Sequence, residues 1–272
     1  MSNSINTNVG AFVALANLSS VNSRLNVVQN QVSTGYKVSS AIDDASSFAI
    51  AQGVRGQLKA FAAVSQGIAN ARGVAQVALS GATAISDLLG DIQAKITQGE
   101  NAGNSTAQQS ILNADFQNLI SQINTFVSNA TYNGRNLLSG QSSSINVIAN
   151  IDGSTLTLRS NSAFSVDSSA LGNQNISTTV QAAQALSALL LASASISTVL
   201  GNLGADVKSI DFQDSFISQL SDATNIGLGS IVDADLARAS SQLQALQVQQ
   251  QLSVQTLNIA NGNPKVLIDL FR

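Results

Sequence analysis

The sequence predicts a mainly α protein, an elongated antiparallel helical bundle or coiled coil with a small β-hairpin in its central segment. Three observations carry that expectation. One proline in 272 residues leaves long stretches free to continue as helix. Apolar residues recur at alternating spacings of three and four, the stripe of a helix that packs on other helices. Around Ile145, Val147 and Ala149 the period changes to two, which marks a strand.

The opening stripe runs through Ile5, Val9 and Phe12, shifts near Leu15, and resumes at Leu18, Val21, Leu25, Val28 and Val32. Gly35 interrupts it, so residues 33–44 read as a connector. A new helix start follows, with Ser40 placed to accept from the backbone N–H of residue 43 and with Asp43 and Asp44 at the positive end of the helix dipole. From Ala45 to about Gln98 the stripe includes Phe48, Val54, Leu58, Phe61, Ile68, Val77, Ile85, Leu88, Ile92 and Ile96. The turn cluster 99–104 and a capping pattern at Thr106 and Gln109 start a helix that folds back antiparallel. Asp152-Gly153 supplies the turn of a hairpin over residues 137–160. Thr178 and Gln181 then cap a long helix reaching Leu220, which Gly227 and Gly229 are expected to break. A last helix from about Asp233 to Asn261 carries Leu236, Leu243, Leu246, Val254 and Leu257, and Gly262 with Pro264 is expected to stop it.

Composition narrows the chemistry. The chain has no His, Cys or Trp, so it can build no Ser-His-Asp triad, thiol nucleophile, zinc finger or disulfide. A formal charge of −3 with scattered Lys and Arg gives no basic field for nucleic acid or an anionic membrane. The longest aliphatic run, Ala188–Ala192, is far shorter than a membrane span, and residues 1–8 lack the pattern of a secretory signal, so export is expected to use another route. No cofactor is expected. Charge is also unevenly placed: none precedes Arg24, and none lies between Arg238 and Lys265. Both ends read as surfaces meant to be covered, since apolar and small residues can be buried there without desolvating charges.

Three ordered motifs then carry a family resemblance. Ser33-Thr-Gly-Tyr-Lys-Val-Ser-Ser-Ala-Ile-Asp-Asp-Ala-Ser-Ser-Phe-Ala-Ile50, followed by Arg55-Gly-Gln57, closely resembles the amino-terminal signature of bacterial flagellin. Tyr132-Asn-Gly-Arg-Asn-Leu-Leu138 resembles its next motif, and Ala260-Asn-Gly-Asn-Pro264 closing into Val266, Leu267, Ile268, Leu270 and Phe271 resembles its carboxyl end. The resemblance implies a secreted subunit that polymerises into the extracellular flagellar filament used for motility. It implies an inner terminal coiled coil from residues 1–32 with 229–272, a spoke at 33–44 with Gly35, Asp43 and Asp44 as its switch positions, and an outer helical domain at 45–228. The region between Asn136 and Ser177 is too short for a large outer insertion. The implied partners are copies of itself, the flagellar export apparatus, an export chaperone, and the cap and hook-junction proteins. A hook–filament junction protein and a host-interaction ligand are the alternatives. For the last, the resemblance places the family's receptor-contacting segment at 90–97, where recognised flagellins carry Arg, Glu and Leu and this chain has Asp91, Ala94 and Lys95.

Simpler readings cover the other candidates. Asp43 and Asp44 are expected to cap a helix. Asp211, Asp214, Asp222, Asp233 and Asp235 lack the loop spacing of a calcium hand and read as solvated faces. The Asn-x-Ser/Thr triplets at Asn104, Asn129 and Asn175 are common by chance in a chain this rich in Ser and Asn.

Overall fold

A computed structural model describes residues 7–140, 143–161, 164 and 170–269. Its long elements are α1 (Val9–Thr34), α2 (Ala45–Gly99), α3 (Thr106–Asn129), α4 (Thr179–Val232) and α5 (Leu236–Asp269). Two antiparallel pairs lie between α3 and α4: β1 (Thr131–Tyr132) with β2 (Arg135–Asn136), and β3 (Ile145–Ile148) with β4 (Thr155–Leu158). The chain divides into two compact units, one from residues 1–56 with 223–272 and one from 57–222. The division falls inside α2, at 56/57, and inside α4, at 222/223. The connector is bonded back onto the end of α4 and the residues before α5, while the core of the second unit begins only at Phe61.

In the second unit α2 buries Phe61, Val64, Ile68, Ala71, Ala75, Ala78, Ala82, Ile85, Leu89, Ile92 and Ile96 in an unbroken three-four alternation, with Val74 buried beside it. Those of α4 follow the same rule through Ala182, Ala185, Leu189, Ala192, Ile196, Val199, Leu203, Asp206, Ile210 and Ile217, with the half-buried Gln213 holding the position between the last two. Their mean spacing of 3.5 keeps one face of a long helix directed at its neighbours. Phe116, Ile120 and Ile123 of α3 complete the helical core. By length and composition part of α4 is apolar enough to cross a membrane, yet this seam commits many of its apolar side chains to the core. Asp206 is the one charged residue buried in that seam. It accepts from the backbone N–H, Nε and Nη2 of Arg159, just past β4, at 3.0, 3.0 and 2.7 Å. Gln213 adds a bond to Ala149 O at 2.7 Å, so α4 holds the hairpin at two points.

The Tyr132–Leu138 motif folds as a second, shorter hairpin that the period analysis did not resolve. Asn133 and Gly134 take φ of 49° and 73° in its two-residue turn. The Tyr132 ring lies over Gly73, where an added Cβ would come within 2.8 Å of it. Asn136 donates to Val127 O and accepts from the amides of Leu138 and Ser139, which turns Leu137 and Leu138 into the core.

Helix ends depart from expectation in instructive ways. α4 runs through Gly227 and Gly229 to Val232, because a glycine inside a helix costs only about 1 kcal/mol and Val232 is buried at the far end. Ser105 with Gln108, not Thr106 with Gln109, forms the capping box of α3. The two patterns overlap, and the extended backbone at Ser105 decides between them. α5 continues past Gly262 and Pro264 to Asp269.

The connector is built from backbone pairing and carboxylates. Gly35 closes α1 at φ 76° with its N–H on Gln31 O. Tyr36 and Asp233 form an isolated antiparallel bridge, flanked by Ala234 N to Gly35 O at 2.9 Å and Lys37 N to Val232 O at 2.8 Å. Asp44, not Ser40, caps α2, accepting from the amides of Ser46 and Ser47. A carboxylate is the stronger acceptor, so the hydroxyl of Ser40 instead donates to Asp43. Asp43 Oδ2 collects the amides and hydroxyls of both Ser39 and Ser40 within 3.1 Å.

Two predictions follow from these bonds. Arg159→Met leaves the buried Asp206 carboxylate with the backbone N–H of residue 159 but without the guanidinium, and is expected to destabilise the second unit by about 2 kcal/mol, a fall of roughly 6 °C in its melting transition by calorimetry. An unchanged transition contradicts the anchoring role. The Ser39 hydroxyl holds Asp43 below its ordinary value of 3.8, and the Ser47 hydroxyl does the same for Asp44. With folded values depressed, their contribution is complete above 3.8 and lost as pH falls through the lowered values. Carboxyl ¹³C titration should place both midpoints below 3.8, and Asp43→Asn should remove the corresponding acid step in connector order.

Candidate assembly surface

The terminal helices pair through their own small core. Val21 and Val28 of α1 meet Ala239 and Leu246 of α5, with Leu25, Val32 and Leu243 packed against them. Asn8 donates to Ala260 O and Gln250 donates to Asn22 Oδ1, both at 2.7 Å, which sets the two helices antiparallel. On α1 the covered positions are 11, 14, 18, 21, 25, 28 and 32; on α5 they are 239, 243, 246, 250, 253, 257 and 260. Both are heptad seams.

This geometry splits the residues that the sequence grouped in one stripe. Leu18, Val21, Leu25 and Val28, with Leu243, Leu246 and Leu257, lie along the seam within the chain. Val9, Phe12, Leu236 and Val254 lie off it and are exposed, Phe12 by 65%. Val13, Leu15, Val27, Val248, Leu252 and Ile259 join them. Sequence reasoning missed most of these six, because they fall between the positions of the single three-four stripe it followed. Ile5 and Leu270 lie outside the described residues, and the backbone of Leu267 belongs to α5.

The uncovered face is suited to burial. Apart from Val27 and Leu236, its apolar side chains lie in stretches, before Arg24 and between Arg238 and Lys265, that contain no charge. The hydroxyls of Ser241 and Thr256 already donate to Ala237 O and Leu252 O, one turn back in α5. Gly35, Asp43 and Asp44 stand in the backbone-paired connector described above.

In the segment 90–97, Asp91 and Ala94 are exposed, while Lys95 is held by Asp115 of α3 at 2.9 Å. Of the acidic residues considered for calcium, Asp211 and Asp214 are both taken by Arg72, at 2.7 and 3.1 Å. Among the described residues no group of three His, Cys, Asp or Glu could hold a metal. An open groove of about 410 Å³ between α2 and the hairpins is lined mainly by apolar side chains, among them Val64, Val74, Tyr132 and Val147.

Comparison with known proteins agrees with this arrangement. A family profile described as the bacterial flagellin N-terminal helical region matches residues 5–143, and one for the flagellin C-terminal helical region matches residues 186–271. Flagellin FljO of Caulobacter vibrioides is 35% identical over 99% of this chain and 99% of its own length. A flagellin of Brucella melitensis is also 35% identical, with the same coverage of both chains. Helical regions at both ends, matched in order around a short centre and joined by full-length relatives, establish that the chain belongs to the bacterial flagellin family.

Proposed function

We propose that the chain polymerises by burying the uncovered apolar faces of α1 and α5 against the same faces of neighbouring copies. As a flagellin it is a structural subunit of the bacterial flagellar filament, secreted and assembled outside the cell, and not an enzyme. One observation carries the mechanism: an exposed apolar surface on the paired terminal helices, over residues 9–27 and 236–259, whose only charges are Arg24 and Arg238, with Asp235 just before it. Covering such a surface releases water at little electrostatic cost, and repetition of one contact in a helical array needs only one kind of subunit.

The same reading assigns finer roles. Residues 1–32 with 229–272 form the inner assembly domain, 33–44 the spoke and 45–228 the outer domain. Within the spoke, Gly35, Asp43 and Asp44 adjust when subunits change packing, because a left-handed glycine and a short bonded turn are the places where backbone angles change most cheaply. Before assembly the export apparatus and an export chaperone handle the chain, and cap and hook-junction proteins meet the filament ends.

Removing residues 1–32 or 233–272 is expected to leave a soluble, partly helical fragment that sedimentation shows unable to form filaments. Phe12→Asp and Leu252→Asp place a carboxylate on the uncovered face. They should raise the critical concentration at least ten-fold, about 1.4 kcal/mol or more, without moving the melting of the second unit. Normal filament growth by these variants would sink the assigned surface.

We propose also that the departures at Asp91, Ala94 and Lys95 make the monomer a poor ligand for the animal flagellin receptor. The first two are exposed where a partner would meet them, and the third is engaged with Asp115. An acid where the partner expects an arginine fork turns a charge-assisted pair into repulsion. A receptor-reporter assay on endotoxin-free monomer should be weak or silent, and restoring Arg, Glu and Leu at these positions should recover part of the signal. Full activation by the unaltered chain contradicts the reading.

A further inference from the structure

We propose that Asn8 is a register lock between the terminal helices, placed to receive the carbonyl that Pro264 leaves without a donor. In a continuous helix the N–H of residue 264 bonds to the carbonyl of residue 260. Pro264 has no N–H, yet α5 runs on to Asp269. The missing bond is supplied from the other end of the chain, since Asn8 Nδ2 donates to Ala260 O at 2.7 Å. The same side chain begins α1: Asn8 has an extended backbone, and its Oδ1 accepts from Ala11 N at 3.1 Å.

The pairing explains why an amide stands at this position. Asp or Ser caps a helix as well as Asn, but a carboxylate cannot donate and a hydroxyl is too short to reach across the interface. It also selects one register. A seam of Leu, Val and Ala repeating every seven positions loses little apolar contact when it slides by a heptad, and polar residues at single positions, Asn8 here and Gln250 on Asn22, are what normally prevent the slip. Pro264 is the only proline in the chain, so within the helix body only the carbonyl of Ala260 has lost its donor. Everywhere else along that body the amide of Asn8 would face an oxygen already engaged one turn ahead. The helices approach through small residues here: a Cβ added to Gly10 would sit 3.9 Å from that of Ala260.

The inference rests on the reading of the terminal pair as the assembly element, and its test separates the two. Full-length chains carrying Asn8→Ser, Pro264→Ala or both are polymerised beside the unaltered protein, and the critical concentration is measured. Ser keeps the cap and loses the reach. Asn8→Ser alone should raise the critical concentration about five-fold, the usual worth of one such hydrogen bond. With Pro264→Ala the helix regains its own donor, and the same change should then shift it by less than about two-fold. Equal shifts in both backgrounds, or no shift with Pro264 in place, overturn the lock. If the unaltered chain forms no filaments, the assembly reading fails instead. Amide exchange at Val9–Val13 in the same four chains then decides the lock alone: faster exchange from Asn8→Ser only when Pro264 is present supports it, and equal exchange rejects it.

Discussion

The 3.5-residue repeat is the constraint from which the rest of the molecule follows. A helix of more than 50 residues such as α2 or α4 turns its apolar stripe away from a partner unless the spacing is held to alternating threes and fours. Both helices hold it through the second unit, with polar Asp206 and Gln213 at two positions of α4, and small alanines fill many of the positions that face neighbours. The low aromatic content, 4% of residues, belongs to the same solution. Narrow seams need small and branched side chains more than rings.

Within that constraint, polar groups specify what apolar packing leaves open. Asp206 occupies a seam position where an aliphatic residue would fit, and it gives the β3–β4 hairpin one place to dock. The isolated bridge between Tyr36 and Asp233 does the same for the chain between α1 and α2. Neither contact buries much surface. Each instead makes one arrangement better than its near neighbours, which matters in a chain whose helices are otherwise repetitive.

Helix existence and extent were legible because period and the scarcity of proline act locally. The start at Ala45 and the end of α1 at Gly35 could be read from residue type alone. What could not be read was decided by tertiary structure. Gly227, Gly229 and Pro264 look like stops, but the two glycines cost little and are followed by the buried Val232, and the proline's lost bond is met by an outside donor. The short hairpin at Asn133-Gly134 was hidden because two-residue strands are too brief for a period to register. For the assembly surface, hydrophobicity identified the helices but not their faces: Phe12 and Val21 are equally apolar in the sequence, and only the partner helix shows that one is covered and the other is not.

The back-bonded hydroxyls of the helices bear on the subunit's solubility. Thr83, Thr97, Thr125, Ser197, Thr198, Ser241 and Thr256 each donate to the carbonyl one turn before them. Such a hydroxyl still offers lone pairs to water, so the free chain stays wettable with few charges. Its hydrogen keeps its partner when water leaves, so the surface does not need a matching acceptor on whatever covers it. A coat of this kind tolerates being pressed against many slightly different neighbours, which is the situation of a subunit whose contacts must serve several lattice geometries at once.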